Sequence, residues 1–236
     1  MSTLADICTF CCEVSGGTSS NLFYDLGISQ EGSLDYILDE TPHFVVFPCI
    51  GALVPEYVLI VSKRHTLSAG WFNNEERTDL RQLIERWKGR LGPAGGNVVL
   101  FEHGSYDFRD KGGACYDHAH VHLIATDAQP KAFVRSVAED VVLHGSDDWL
   151  SAAVDSVQRQ ERSYLVMSTD GHDYIGNSRQ ARSQFFRRHL AEWLGAEPGG
   201  WDWLVYPEIE RVRGMIECHR HTSGLSERNS RQSGGG

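Results

Sequence analysis

The 236-residue sequence has no long run of apolar residues, and none of its stretches approaches the roughly 20 that a membrane-spanning helix needs. Residues 1–6 carry neither the basic region nor the apolar core of a secretory signal peptide. No internal repeat is visible along the chain. We therefore expect a cytoplasmic protein that has no membrane partner.

Positive charge is also scarce. Lys and Arg number 22 against 32 Asp and Glu, which gives a net charge of −10. Non-specific binding to a nucleic-acid backbone needs a basic surface. We therefore expect no nucleic-acid partner, while a local basic pocket for a small phosphorylated ligand is compatible with this balance.

Cysteine is too sparse for a disulfide scaffold, because the chain has only six. In a reducing compartment, a Cys-x-x-Cys pair is more often a metal-binding or redox motif than a crosslink. The chain has one such pair, Cys8 and Cys11, whereas zinc prefers four sulfur or nitrogen ligands. A closed metal site therefore needs histidines from elsewhere, and His65 is one candidate.

Three histidines alternate with apolar residues between Asp117 and Ile124, in a run that is otherwise typical of a strand. Side chains on a strand point to alternate faces, so His118, His120 and His122 share one face. Three imidazoles on one face are costly to bury and add little as a surface. We interpret them as a metal site, a nucleophilic catalyst, or both.

The chemistry of such a strand suits phosphoryl or nucleotidyl transfer. A neutral imidazole that is held by a hydrogen bond on one ring nitrogen is a competent nucleophile at the other. A neighbouring histidine on the same face can bind a phosphate oxygen or the leaving group. The glycine-rich loop before the strand can place backbone N–H groups against that phosphate. This chemical step needs no metal.

Hydrophobic patterns in the first 125 residues predict an antiparallel sheet with one long helix, which is an α+β arrangement. The helix is expected to begin at residues 73–76, where acidic side chains occupy its first turn, and to end at Gly92-Pro93. Strands are expected at residues 43–49, 57–61, 98–101 and 118–124.

The rest of the chain predicts a mixed α/β extension. Asp170-Gly171 is a hairpin-turn signal, and residues after 222 are rich in Ser, Arg and Gly. Helices are expected from Pro130, over 149–157, from Ser183 and over 208–217. We therefore divide the chain into a domain at 1–127 that holds the metal site, an extension packed on it at 128–221, and a disordered tail at 222–236.

Four segments together resemble the histidine triad (HIT) superfamily of nucleotide hydrolases and transferases. The histidine stretch, preceded by Gly112 to Cys115, has the pattern of its triad, and residues 101–104 stand where the family has a strand and a glycine turn. Tyr57 to His65 is similar to the family's strand ending in Pro-Lys-x-His. Cys8 to Cys11 is similar to the Cys-x-Phe-Cys of its zinc-containing branch.

The resemblance covers residues 8–125 and implies a HIT-like domain with specific roles for its histidines. It implies that His120 is the nucleophile that becomes nucleotidylated and that His122 contacts the phosphate or the leaving group. It also implies a structural zinc ion, whose ligands are Cys8, Cys11, His65 and His118.

Several positions that touch the substrate or the nucleophile in the family differ in this chain. Hydrolase members often carry Asn in place of Glu102 and Gln in place of Ala114. They commonly carry Ser or Thr in place of Cys115, and His in place of Tyr57. In the extension, Gln184 and Arg187 are placed to reach a phosphate, since arginine suits bidentate phosphate contacts. An ordinary solvated helix face explains these two residues equally well. The residues expected to contact substrate or phosphate are Glu102, Gly113, Ala114, Cys115, Gln184 and Arg187.

These observations predict a zinc-stabilised, HIT-type nucleotide hydrolase or nucleotidyltransferase. It would cleave at the α-phosphate of a nucleoside polyphosphate or nucleotide conjugate through a covalent His120 intermediate, with a homodimer as one candidate assembly. One alternative is an open catalytic metal site at the three histidines. Another is a repurposed HIT-fold protein that acts on or binds a non-nucleotide, biosynthetic ligand.

Overall fold

The computed structural model describes residues 8–92, 96–110, 117–169 and 171–232, with side chains described up to residue 221. The strands are β1 (Asp39–Glu40), β2 (Phe44–Pro48), β3 (Tyr57–Ser62), β4 (Asn97–Gly104), β5 (His120–Thr126), β6 (Leu143–Ser146), β7 (Tyr164–Thr169) and β8 (His172–Asn177). The helices are α1 (Thr9–Ser15), α2 (Leu22–Asp25), α3 (Asn74–Leu91), α4 (Pro130–Asp140), α5 (Trp149–Gln158), α6 (Phe185–Trp193) and α7 (Ile209–Gln232), with a 3-10 turn at Ala69–Trp71.

All of these strands belong to one antiparallel sheet, in the order β1-β2-β3-β5-β4-β7-β8-β6. The predicted α+β class, with an antiparallel sheet, a long helix and an extension of helices and strands, is confirmed. The histidine strand β5 lies between β3 and β4. The extension continues the sheet through the pairing of β7 with β4, and the division of the chain at residue 127 stays a prediction.

Helix α3 covers the apolar side of the histidine strand. Its start is fixed by a capping box, in which Asn73 accepts a hydrogen bond from the Glu76 backbone N–H and the Glu76 carboxylate accepts one from Asn73. Its apolar face is buried and the helix contacts β5; the residues of this face are Leu80, Leu83, Ile84, Trp87 and Leu91. Because strand residues alternate, Val121 and Leu123 are buried while His120 and His122 point to the other side of the sheet.

The remaining predicted elements are present with altered bounds, and some elements were not predicted. Strands β7 and β8 pair as the expected hairpin, although its turn residue Asp170 lies outside the described residues. Helices α1 and α2, strands β1 and β6 and the 3-10 turn were not predicted. Helix α7 extends to Gln232, well beyond the predicted 208–217, and so overlaps the tail at 222–236, whose disorder stays a prediction. No helix in the described part of the chain is long and apolar enough to cross a membrane.

Gly104, at the end of β4, gives a test of the packing between β4 and the extension. A Cβ atom at this position would overlap the ring of Tyr164 on the neighbouring strand, whereas a Cβ at Gly89, exposed on α3, would meet nothing. Gly104→Ala should therefore lower the free energy of unfolding by about 1–3 kcal/mol. Gly89→Ala should raise it by roughly 0.5–1 kcal/mol, because alanine favours a helix interior. Denaturant titration of both variants measures this, and equal stability of the two would contradict it.

Candidate active site and metal centre

The two cysteines and two of the histidines form one cluster. Cys8 is the N-cap residue of α1 and Cys11 lies in its first turn, so the two thiols share one side of the helix. His65 follows β3 and His118 precedes β5, and these strands are paired. The four ligand atoms all lie within 4.8 Å of one another, so the residues predicted as metal ligands come together.

The geometry of this cluster fits a four-coordinate metal ion. The Cys8 and Cys11 sulfurs lie 3.4 and 3.5 Å from Nδ1 of His118, and the Cys11 sulfur lies 3.3 Å from Nδ1 of His65. Metal–sulfur and metal–nitrogen bonds of about 2.3 and 2.05 Å at tetrahedral angles give sulfur–nitrogen separations of roughly 3.5 Å. These distances therefore match the edges of such a tetrahedron.

The environment of the cluster favours a bound cation. Nε2 of fully buried His118 lies 2.7 Å from the backbone oxygen of Ser62, so this nitrogen carries the proton and Nδ1 faces the thiols. Burial, with the neighbouring Cys8, raises the pKa of the Cys11 thiol to about 12. A cation would reverse this shift, because a coordinating thiol is deprotonated. These residues can hold a metal ion.

His120 is oriented by its own strand. Its Nδ1 lies 2.7 Å from the backbone oxygen of His118. Since a carbonyl oxygen can only accept, Nδ1 carries the proton and the lone pair of the neutral ring lies on Nε2. Burial lowers the pKa of His120, which favours this neutral form. The ring is thus arranged as a nucleophile at Nε2.

His122 is the second histidine of the pocket and lies between two neighbouring strands. It stacks on Phe101, its partner across β4, with ring centroids 4.5 Å apart. The centroid of the His120 ring lies 5.0 Å away, in an edge-on arrangement. Burial, with the charges of His120 and Arg187, holds the pKa of His122 well below its usual value. Both histidines are therefore neutral near pH 7.

A hydrogen bond with Tyr57 bears on the tautomer of His122. Its Nδ1 lies 2.7 Å from the hydroxyl of Tyr57, whose pKa is held well above its usual value by burial and by Cys49. The raised pKa keeps the Tyr57 hydroxyl protonated at neutral pH, so this hydroxyl can donate the hydrogen bond to Nδ1 of His122. Nε2 of His122 then carries a proton and can donate to a substrate.

A single pocket opens over this arrangement. Both catalytic candidates line it, as do Gln184 and Arg187 from the extension, which sequence analysis had placed at the substrate. The rest of the lining is mostly aromatic and aliphatic, and it includes Phe10, Glu13, Leu22, Phe23, Phe47, Cys49, Ile50, Leu59, Phe101, His103 and Phe186. The pocket thus has aromatic walls and a small number of polar groups, which is typical of ligand sites.

Arg187 brings a buried positive charge to the pocket. It is 5% exposed, and it donates to the backbone oxygens of Trp201 at 2.8 Å and Gly51 at 2.7 Å. It also donates to the Cys49 sulfur at 3.8 Å. Among the described residues it forms no ion pair. Gln184, in a left-handed conformation before α6, donates to Asp202 at 3.3 Å.

Glu102 does not line the pocket, which corrects its predicted placement at the substrate. It is 1% exposed and accepts hydrogen bonds from the Tyr164 hydroxyl at 2.6 Å and the Ala69 backbone at 2.8 Å. Its neighbours on β4, Phe101 and His103, face the pocket, so strand alternation turns Glu102 to the opposite side. Gly113, Ala114 and Cys115, also predicted at the substrate, lie outside the described residues.

Phe10 and Glu13 line the pocket although the sequence did not indicate them as site residues. The Phe10 ring lies 4.8 Å from that of His120 and 5.8 Å from that of His118. Burial raises the pKa of Glu13 to about 8, the behaviour of a carboxyl group with few donors around it. The sequence held one indication of this, because Phe10 and Glu13 are three residues apart, the spacing of two side chains on one helix face, and they lie next to the cysteine pair.

No family model matches the sequence, and no curated protein matches it. Two solved structures of yeast Ap4A phosphorylase Apa2 are similar to part of the chain. The AMP complex is 11% identical, with a TM-score of 0.37, and the match covers 58% of this chain and 56% of that one. The other is 12% identical, with a TM-score of 0.40, covering 65% and 62%. The chain thus spans less than two thirds of either neighbour's length, and similarity at this level carries no inference about function.

The metal centre can be tested by comparing histidines of the same strand. Cys11→Ser and His118→Ala should reduce the metal content of the purified protein to background, because each removes a ligand. His120→Ala is the matched control and should keep its metal, because its ring bonds to a backbone carbonyl instead. Elemental analysis of the three variants measures this. Loss of metal from His120→Ala to the same degree would indicate an open site at the three histidines.

Proposed function

We propose that the protein is a nucleotide hydrolase or nucleotidyltransferase of the HIT type. The observation that carries this proposal is the hydrogen bond from Nδ1 of His120 to the His118 carbonyl, which directs the ring's lone pair to Nε2. The same ring lies beside a neutral His122 in a pocket with aromatic walls. This is the arrangement that a nucleophilic imidazole needs.

The proposed reaction begins with attack of His120 Nε2 on the α-phosphorus of a nucleoside polyphosphate or nucleotide conjugate. A nitrogen–phosphorus bond forms, and the bond from phosphorus to the leaving oxygen breaks, with its electron pair going to the leaving group. The ring becomes cationic because Nδ1 keeps its proton, and the His118 carbonyl oxygen stabilises that charge. A phosphate leaving group departs as an anion and needs no proton.

In the second step, water or another acceptor attacks the same phosphorus and His120 leaves as neutral imidazole. The proton of the acceptor passes to solvent. His122 donates from Nε2 to an oxygen of the reacting phosphate, in keeping with the direction of its hydrogen bond from Tyr57. Hydrolysis and transfer differ only in the acceptor that enters at this step.

The buried guanidinium of Arg187 supports an anionic substrate. It is a cation with no carboxylate partner among the described residues, and its charge reaches His122. A buried charge without a counter-charge is costly, and an anionic ligand in the pocket offsets that cost. Arg187 therefore attracts the phosphate through its charge, while its hydrogen bonds to backbone oxygens hold the pocket wall.

We further propose that the ion of the cysteine–histidine cluster is zinc, in a structural role. Two thiolates and two imidazoles are a ligand set typical of closed zinc sites, which stabilise a fold without taking part in chemistry. A zinc ion there would fix the ring of His118, the residue whose backbone oxygen orients His120. An open catalytic metal site is not favoured, because the metal-binding group found among the described residues contains neither His120 nor His122.

The covalent step can be tested by trapping. His122→Ala removes the donor that assists departure from His120, so we expect the variant to accumulate the nucleotidyl adduct. The variant is incubated with Ap4A, ATP and a nucleotide sugar, and its intact mass is measured together with the site of modification. The matched control is the double variant His120→Ala/His122→Ala, which should gain no mass. Absence of an adduct in every case, together with no turnover by the unmodified protein, would favour the repurposed binding protein.

The role of Tyr57 gives a second test. Tyr57→Phe removes the hydroxyl that donates to Nδ1 of His122, and leaving a buried polar group unsatisfied costs about 1–3 kcal/mol, or roughly 5- to 150-fold in rate. We expect kcat to fall by this factor with a smaller change in KM. Tyr24→Phe is the control, because its hydroxyl donates to the Ser33 backbone oxygen instead. Equal kcat values for the two variants would exclude this role.

A further inference from the structure

Helix α1 contributes a carboxyl group to the pocket as well as thiols to the metal centre. Phe10 and Glu13 stand three residues apart and therefore lie on the same face of the helix. Phe10 contacts His120 at that face. Glu13 lines the same pocket as His120 and His122, although its side chain is only 1% exposed. The proposed chemistry gives this carboxyl group no role.

The hydrogen bonding of Glu13 is incomplete. The backbone N–H of Leu22 lowers the pKa of the carboxyl group, against the larger raising effect of burial. Oε1 is buried and has no hydrogen-bond partner among the described residues. Burying a polar atom without a partner is costly, and native structures largely avoid it. A pocket-lining oxygen of this kind is explained if a ligand supplies the missing donor.

The backbone around Glu13 holds this carboxyl group in place. The Tyr36 hydroxyl donates to the Glu13 backbone oxygen at 2.6 Å and accepts from the Asn21 side chain at 2.9 Å. Tyr36 also stacks on Phe23, with ring centroids 4.0 Å apart. All of these partners are buried. The acceptor is therefore pre-organised, which reduces the entropy that a ligand would lose in ordering it.

The part of the pocket around Glu13 is lined by aromatic and aliphatic side chains. Phe23 and Phe47 meet edge to face with centroids 5.3 Å apart, and Phe10 lies 6.1 Å from Phe47. Leu22 and Ile50 complete this part of the lining. Aromatic walls suit the faces of a planar heteroaromatic ring, and one available acceptor oxygen suits one N–H group on its edge. A sugar presents several hydroxyls, whereas this carboxyl group has a single buried oxygen without a partner among the described residues.

We propose that Glu13 is a specificity-determining residue, whose Oε1 accepts a hydrogen bond from an amino group of a heteroaromatic base held among Phe10, Phe23 and Phe47. The inference rests on the proposed function, because it places the base of the nucleotide substrate in the part of the pocket beyond the reacting histidines. It explains why a buried carboxyl group is retained where an apolar residue would pack more stably.

The test compares nucleotides that differ by one amino group. AMP is paired with purine riboside 5′-monophosphate, and GMP with IMP, and their binding to the full chain is measured by titration calorimetry. In at least one pair, the nucleotide with the amino group should bind roughly tenfold or more tightly than its partner. Glu13→Met, of similar size and with no acceptor, should abolish that difference and leave the affinity of the nucleotide without the amino group unchanged within about twofold.

Two further measurements make the test decisive. Glu31→Met, at an exposed position, is the control and should behave as the unmodified protein. Thermal unfolding should show that Glu13→Met is folded, with an unchanged or raised Tm, because the substitution removes a poorly partnered buried carboxyl group. A Glu13-dependent preference for ribose over 2′-deoxyribose nucleotides, with no preference between the members of each pair, would overturn the proposal in favour of a sugar contact.

Failure of this inference is distinguishable from failure of the proposed function. If the His122→Ala adduct forms and the preference for the amino group is absent, or persists in Glu13→Met, only the role of Glu13 is overturned. If no adduct forms and none of the four nucleotides binds, the proposed function fails and the inference fails with it.

Discussion

The antiparallel pairing of β3 with β5 is the constraint on which both parts of the site depend. Its register places Leu59 opposite His122 and Val61 opposite His120. At one end of the pair, the same register brings His65 beside His118 and completes the metal cluster. At the other end it brings the Tyr57 hydroxyl to His122. A slip of one residue would turn every histidine to the opposite face and destroy both arrangements together.

His118 connects the metal cluster to the pocket through two different groups. Its imidazole faces the thiols, while its backbone oxygen accepts a hydrogen bond from Nδ1–H of His120. Fixing the ring therefore also limits the motion of the carbonyl that orients the proposed nucleophile. Helix α1 makes a second connection, because within a few residues it carries Cys11 toward the metal cluster and Phe10 and Glu13 toward the pocket. Scaffold and substrate pocket are thus built from the same short segments.

Much of the candidate site could be predicted because it depends on local periodicity. Alternation along a strand placed the three histidines on one face, and a Cys-x-x-Cys pair together with a histidine at a strand end indicated the metal ligands. Glu102 shows the limit of such reasoning. Its position in the chain matched a substrate contact, but the pairing of β4 with β7 places its carboxyl group against Tyr164 on the other face of the sheet. Such long-range partners are not encoded in a local pattern.

The sequence by itself determined the α+β class and the long helix, and it offered cysteine and histidine side chains that can ligate a metal or act as nucleophiles. The fold class follows from the fixed periods of helices and strands, whereas the division of roles among the histidines came from the resemblance to the HIT superfamily. Only the tertiary structure decided which partner each group meets. His120 meets a backbone carbonyl, His122 meets Tyr57, and Arg187 meets backbone oxygens. The tertiary structure also placed Glu13 in a pocket with aromatic walls. Those partners come from segments far apart in the chain, and they meet because the eight-stranded sheet brings those segments together.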